Sequence, residues 1–353
     1  MVTLKEIANA FGVSPITVSN ALNNKAGVSP DKARAIKKYA ERIGYRPAYM
    51  ARSLIRGRTH MIGMCVRENI TDPWTAGLLR KIQHILQEND FYLNVIMADD
   101  GIKKQQKSLL FFRELRVEGV IIGPLGLLEE YNLLREQLLY HQNVIAFDAV
   151  EDLPINCVKL DIYSGIQKAL QYVLEMGHRK IGYIGVPDIE AKFPSLKSRL
   201  TGFLDFLKIN RLPIRQEWLI PNNKDWTLIQ EKLTELVKGN SDKELPTVWF
   251  CHNDVLAART ISLLYELGLR VPEDISIIGF DNQPIAQWVP PGIMSVGYDL
   301  DKYAKIIVEM IIKNIPVKKS MNGQKEASVL FSEPQSYILP PILFKRKSVR
   351  KIG

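Results

Sequence analysis

The sequence predicts a small all-α head of the helix-turn-helix type over residues 1–46, and after it an α/β body of two lobes with parallel sheets over residues 61–345. Three observations carry this prediction. Apolar residues recur at helical spacing from Leu4 to Leu22 around one tight turn. From Met61 onward, short apolar strand candidates alternate with helical patterns. The charge is also uneven: the 353 residues carry a formal +9, and residues 1–60, with 11 Lys or Arg against 3 Asp or Glu, hold +8 of it. A generally basic surface would scatter that excess, whereas its concentration at one end is the footprint of a nucleic-acid-binding segment.

The head is written in capping signals. Thr3 and Glu6 form a capping-box pattern in which each side chain is expected to satisfy an amide of the first turn. Leu4, Ile7, Ala8 and Phe11 make one apolar face, Gly12 closes the helix, and Ser14 and Pro15 open the next. In that second helix Val18, Ala21 and Leu22 point inward, leaving Pro15, Ile16, Thr17, Ser19 and Asn20 outward. A helix so placed presents its N-terminal part to base edges in the major groove. The amide of Asn20 suits adenine, while Pro15 and Ile16 offer apolar contact to a thymine methyl. A third helix starts at Ser29 and Pro30, contributes Ala33, Ile36, Ala40 and Ile43, and ends at Gly44.

Residues 47–60, with AYMARSLIRGRT at their centre, have helix formers but too few apolar partners for a stable isolated helix, and read as a hinge that orders on binding. Arg52, Arg56 and Arg58 suit phosphates, and Leu54 stands among them as an apolar wedge for the minor groove. The competing reading is an ordinary basic linker.

In the body, Ile62–Val66, Leu93–Ala98, Gly119–Ile122 and Val144–Phe147 are strand candidates, with a helix at Leu78–Leu86. The pattern restarts with a helix at Gly165–Met176, a strand at Ile181–Val186 and a helix at Arg199–Leu207. Strands at Thr247–Cys251 and Ile275–Phe280 bracket the helix Leu256–Leu267. Two α/β lobes with a cleft at the carboxyl ends of their strands follow from this order. Residues from Ile293 on are too few for a domain and are expected to return to both lobes. The first lobe is then 61–161 with 293–320, the second 162–292 with 321–345, and 346–353 is a solvated basic tail.

Cys65, Cys157 and Cys251 lie far apart in apolar runs, which suits core residues of a reducing compartment and no disulfide or zinc framework. The N-terminus has no signal-peptide pattern, and no run approaches the roughly 20 apolar residues of a membrane span, so a cytoplasmic protein is expected. His60, His84, His141, His178 and His252 show no metal-ligand spacing, and neither a nucleophile elbow nor a phosphate loop is present; no metal, cofactor or catalytic residue is expected.

The segments TLKEIANAFGVSPITVSNALNN and VSPDKARAIKKYAERIGYRPAYMARSLIRGRT closely resemble the head and hinge of the LacI/GalR family of bacterial transcription regulators. DPW at 72–74, SRLTGF at 198–203, Asn253 with Asp254, and LGLRVPEDISIIGFDN at 267–282 continue the likeness in the family's order. The resemblance implies a body like the type I periplasmic binding proteins, a homodimer on a pseudo-palindromic double-stranded operator, and a small effector, expected to be a sugar, in the cleft. Residues expected at the DNA are Thr3, Ser14, Pro15, Ile16, Thr17, Ser19, Asn20, Tyr45, Ala51, Arg52 and Leu54, with Leu54 matching the hinge leucine that inserts at the operator's central step. One departure stands out, since Asn20 occupies a position where arginine is usual and should move preference from guanine toward adenine.

For the effector, the resemblance points to Trp74, Asp148, Arg199, Trp226, Asn253 and Asp281, with Arg67 and Asp161 as weaker candidates. Arg199, Asn253 and Asp281 suit the hydroxyls of a polyol, and Trp226 an apolar sugar face. Each also has a structural reading: Asp281 capping a loop, Arg199 pairing with an acid at a helix start, Trp226 in the lobe core. The function expected is a ligand-controlled DNA-binding regulator, most simply a repressor. A sugar-binding receptor without a DNA role and a carbohydrate-acting enzyme are the alternatives, opposed by the charged head and by the missing catalytic motifs.

Overall fold

Thr3 has an extended backbone and its hydroxyl accepts the Glu6 amide at 3.3 Å, starting α1 (Leu4–Phe11). The Thr3 hydroxyl donates to the Glu6 carboxylate at 3.1 Å, a bond between side chains where the capping-box pattern predicts one from the Thr3 amide to Glu6. Gly12, at φ +59°, ends the helix in the left-handed region that glycine enters without strain. Ser14 then accepts the Thr17 amide at 3.1 Å, and Pro15 occupies the first turn of α2 (Pro15–Leu22). With α3 (Pro30–Arg42) the head closes on Ile7, Ala8, Val18, Ala21, Ile36 and Ala40, and Phe11 meets the Tyr39 ring edge-on at 5.4 Å.

The structure, a computed structural model, describes residues 2–46, 57–66, 72–98, 101–123, 143–147, 155–185, 194–221, 226–239, 244–315 and 335–352. Met1–His60 and Met61–Gly353 are separate compact units. The hinge residues Ala51, Arg52, Leu54 and Arg56 lie outside the described residues, as do Arg67 and Asp148.

The second unit runs β1 (Met61–Val66), α4 (Pro73–Glu88), β2 (Tyr92–Met97), α5 (Ile102–Glu114), β3 (Gly119–Ile122), β4 (Val144–Phe147), β5 (Asn156–Leu160) and α6 (Ile162–Glu175). It continues with β6 (Ile181–Gly185), α7 (Pro194–Ile209), β7 (Leu219–Pro221), α8 (Trp226–Lys238), β8 (Val248–Cys251), α9 (Asp254–Glu266) and β9 (Ser276–Phe280). The last elements are α10 (Ile285–Trp288), β10 (Met294–Gly297), α11 (Leu300–Lys313), β11 (Ser336–Leu339) and β12 (Ile342–Phe344). Two six-stranded sheets result, in the orders β11-β5-β4-β3-β1-β2 and β12-β10-β9-β8-β6-β7. Pairing is parallel throughout except where β12 runs antiparallel to β10. The buried strand centres read as continuous apolar runs, as parallel strands covered on both faces require.

The chain passes between the sheets three times, after β5, after β10 and after β11. This corrects the expected segment boundaries. Met294–Gly297 is a strand of the second sheet, not the first, and only the helix after it packs on the first. The stretch 336–344 is two strands, broken at Pro340 and Pro341 and given one to each sheet. Proline removes a ladder donor, which is why the pairing changes there.

Nor is residue stretch 346–352 a solvated tail. Ser348 is fully buried, its hydroxyl donates to the Ile277 carbonyl at 2.5 Å and accepts the Met294 amide at 2.8 Å, and its carbonyl receives the Ile277 amide at 2.9 Å. Further on, the Ile352 amide reaches the Met176 carbonyl, and His178 bridges Thr247 Oγ1 at 2.8 Å and the Arg350 carbonyl at 3.0 Å. Burial lowers the His178 pKa, so its ring is neutral, donating from one nitrogen and accepting at the other. The alternation of basic residues with Ser348 and Val349 is edge-like packing written in a charged sequence.

Candidate ligand cleft and DNA-reading face

On the head, Pro15 and Ile16 are exposed on the first turn of α2, Ile16 at 72 %. Asn20 is half-buried, as are Thr17 and Ser19. Ser14 and Thr17 also bond each other through their hydroxyls at 2.9 Å, so capping already engages both of these expected DNA contacts. Thr3 is exposed at the start of α1. Tyr45 is packed against the head core, with its amide on the Ala40 carbonyl at 2.8 Å. Pro15 and Ile16 thus present exposed apolar groups on a helix start capped by Ser14.

In the body, the site forms at the carboxyl ends of the second sheet. Arg199, on α7, donates from Nη2 to Asp281 Oδ1 at 2.8 Å and from Nη1 to the His252 carbonyl at 2.6 Å. Its guanidinium also lies 4.2 Å from the centre of the Phe280 ring. Both side chains of the Arg199–Asp281 pair are 12 % exposed, a partly desolvated charge pair rather than a surface one. The strand order explains the meeting: Asp281 follows β9 and His252 follows the adjacent β8.

The turn after β9 is held from several sides. Asp281 and Asn282 both have positive φ, +87° and +47°, a strained backbone for two successive residues with side chains. The Asp281 amide bonds the Val296 carbonyl at 2.6 Å, and the Asn282 amide bonds Ser295 Oγ at 3.0 Å. Arg346 reaches Asn282 Oδ1 at 2.6 Å, and Asp254 Oδ2 accepts the Gln283 amide at 2.6 Å. Asp254 is fully buried, and desolvation, with Asp281 nearby, pushes its carboxyl up to about 8. His252 is buried and held well below its usual range, first by desolvation and then by Arg199. Its Nδ1 shares a hydrogen bond of 3.1 Å with the buried Tyr183 hydroxyl.

Of the remaining expected effector residues, Asn253 caps α9, accepting the Leu256 amide at 2.9 Å. Trp226 opens α8, packs against the second-lobe core and carries the Arg259 guanidinium 4.2 Å above its ring. Trp74 lies at the start of α4 with its ring 6.1 Å from that of Tyr303. Asp161 caps α6 by accepting the Ser164 amide at 3.1 Å. The structure therefore joins Arg199 and Asp281 directly, sets Asn253 beside them through the His252 carbonyl, and gives Trp226 and Trp74 other partners. Sequence reasoning passed over Phe280, Asp254 and Gln283; Asp254 stood in a matching motif, but nothing in the sequence marked Gln283.

Comparison with known proteins follows the same division. Residues 3–48 match the profile of bacterial regulatory proteins of the lacI family, and residues 170–346 match that of the periplasmic binding protein-like domain. The chain is 27% identical to the HTH-type transcriptional repressor PurR of Photorhabdus laumondii, over 99% of this chain and 97% of that one. It is 29% identical to the NTD biosynthesis operon regulator NtdR of Bacillus subtilis, over 91% and 95%. Among solved structures, the lac repressor dimer bound to operator and the anti-inducer ONPF superposes with a TM-score of 0.77 at 19% identity, over 99% of both chains. A complex of the transcriptional regulator CelR with cellobiose gives 0.66 at 21%, over 99% of this chain and 100% of that one. Proteins of this kind regulate transcription and are not enzymes. With a lacI-type head joined to a periplasmic-binding-protein-like body, the chain belongs to the LacI family and is a DNA-binding transcriptional repressor with a ligand-binding domain.

Proposed function

We propose that this repressor is controlled by a sugar bound at the carboxyl ends of its two sheets, with Arg199, Asp281 and Asn253 taking the hydroxyls. The observation that carries the reading is the Arg199–Asp281 pair. One partly buried cation, its guanidinium stacked on the buried Phe280 ring, and one carboxylate offer donors and acceptors side by side. A polyol matches that combination: each hydroxyl donates to the carboxylate while accepting from the guanidinium. The cellobiose bound to CelR, a structural relative, supports the same class. Asn253 Oδ1 is engaged by the Leu256 amide, so its side-chain nitrogen is the group it offers. Trp74, Trp226 and Asp148 complete the proposed wall.

On this reading the chain acts as a homodimer, placing two heads on the half-sites of a pseudo-palindromic operator, with residues 47–60 as the hinge and Leu54 as its wedge. Pro15, Ile16 and Asn20 read bases; Thr3, Ser14, Thr17, Ser19, Tyr45, Ala51 and Arg52 position the head. Ligand that binds two lobe arrangements with different affinity shifts their balance and, with it, the hinge.

A thermal-shift screen with glucose, cellobiose, sucrose, gluconate and nucleobases tests the ligand class. A ligand at about 100 times its dissociation constant adds roughly 2.7 kcal/mol of stability. One sugar should raise the melting temperature by several degrees, and Arg199→Ala should abolish the shift while leaving operator binding intact. A shift with nucleobases alone, or a sugar shift that survives Arg199→Ala, would refute this assignment.

A further inference from the structure

The side chain of Gln283 leaves the second sheet's turn and crosses to the first sheet. Its Nε2 donates to Asp72 Oδ1 at 3.3 Å, although 211 positions separate the two in sequence. Gln283 is 2 % exposed, and its Oε1 has no hydrogen-bond partner among the described residues. Since a carboxylate only accepts, the amide must present its nitrogen there, and the bond to Asp72 is what orients it. Asp72 is equally committed on its own side. It caps α4, its Oδ2 accepting the Thr75 amide at 2.8 Å and the Thr75 hydroxyl at 2.9 Å. One bond therefore ties the N-terminus of a first-lobe helix to the turn that carries Asp281.

We propose that Gln283 and Asp72 form an interlobe latch that passes the position of the Asp281–Gln283 turn to α4. The turn is suited to this because it is braced from several sides. Asp281 and Asn282 are held in the left-handed region by bonds from outside the turn, to Val296, Ser295, Arg346 and Arg199, and Gln283 by the Asp254 carboxyl. A group that draws Asp281 away from Arg199 shifts one anchor of the turn, and Gln283, two residues on, follows. The regulatory meaning of the latch rests on the ligand reading above; its existence does not.

Hydrogen–deuterium exchange on the full chain, with neither ligand nor DNA, tests it. Gln283→Glu sets two carboxylates against each other and should speed exchange across residues 73–80, in the opposite lobe, by about threefold to tenfold, the factor that one net hydrogen bond is worth. Gln283→Ala should act in the same direction. Combining Gln283→Glu with Asp72→Asn inverts donor and acceptor while keeping a good helix cap, and should return exchange at 73–80 to the wild-type rate. Changes confined to the mutated turn, or a reversed pair that exchanges no more slowly than Gln283→Glu alone, would overturn the latch. A failed sugar screen leaves this result untouched, so the two proposals fail separately.

Discussion

At Asp254 a carboxyl sits with no solvent exposure beneath the Asp281–Gln283 turn, facing Ser295 and the Gln283 amide, with Asp281 and Arg346 near enough to act on its charge. Its folded pKa of about 8 lies far above the roughly 3.9 of an unfolded aspartate, so the native state binds the proton more tightly. Its stabilising effect is complete below about pH 4 and declines as pH rises toward 8. His178 and His252 act oppositely. Both are held below the ordinary range, so they cost stability as pH falls below about 6.5, where the unfolded chain takes up protons first. Between pH 6.5 and 8 only the Asp254 contribution among these three still changes. Denaturant titration should show the body losing on the order of 1–2 kcal/mol over that window, and Asp254→Asn should flatten it. An unchanged slope in the variant would show that the buried proton is not on Asp254. Cys251, pushed up to about 12 by burial, stays an unreactive thiol throughout.

Among the elements, β9 and α9 meet with no room for a methyl group. A Cβ at Gly279 would stand 2.0 Å from Asp254 Oδ1 and 3.2 Å from the Asp254 Cα, so one of the two elements must move. Gly279→Ala should lower the body's stability by about 1–3 kcal/mol, the usual cost of overpacking, and move its calorimetric transition down. Gly12→Ala provides the contrast. Nothing lies within 4 Å of its Cβ, and only the left-handed backbone at φ +59° resists the change. That variant should weaken the head and leave the body's transition in place. The head's elements were legible because capping residues, a left-handed glycine and a first-turn proline are local signals. The strand at Asn156–Leu160 was missed for the opposite reason, whereas the helix at Trp226–Lys238 was passed over although Ile229, Leu233 and Leu236 recur at helical spacing. NCVKL is half polar, its inner residues matched to β4 and β11 rather than to a repeating pattern.

At the scale of the whole molecule, several large aromatic side chains among the described residues are exposed. Trp288 on α10 is 76 % exposed and Tyr92 on the edge strand β2 is 58 % exposed, with Tyr265 and Phe111 also outward. An uncovered edge strand with apolar side chains is a site for association, and the proposed homodimer is its simplest occupant. Sedimentation equilibrium should give a dimer at micromolar concentration, and Trp288→Lys with Tyr92→Lys should shift it toward monomer; an unaltered dimer would place the interface elsewhere. No helix among the described residues is long and apolar enough to cross a membrane.

By itself the sequence determined the helical head with its charge and the two α/β lobes, since periodicity, capping and motif order are properties of short stretches. Tertiary structure alone decided which sheet each late segment joins, that Ser348 and Val349 are buried within the basic C-terminal run, that Trp226 packs under Arg259, and that Gln283 meets Asp72. The physical reason is separation along the chain. Residues 53, 82 or 211 positions apart exert no force on one another until the sheets bring them within hydrogen-bond distance, and local propensity holds no record of that meeting.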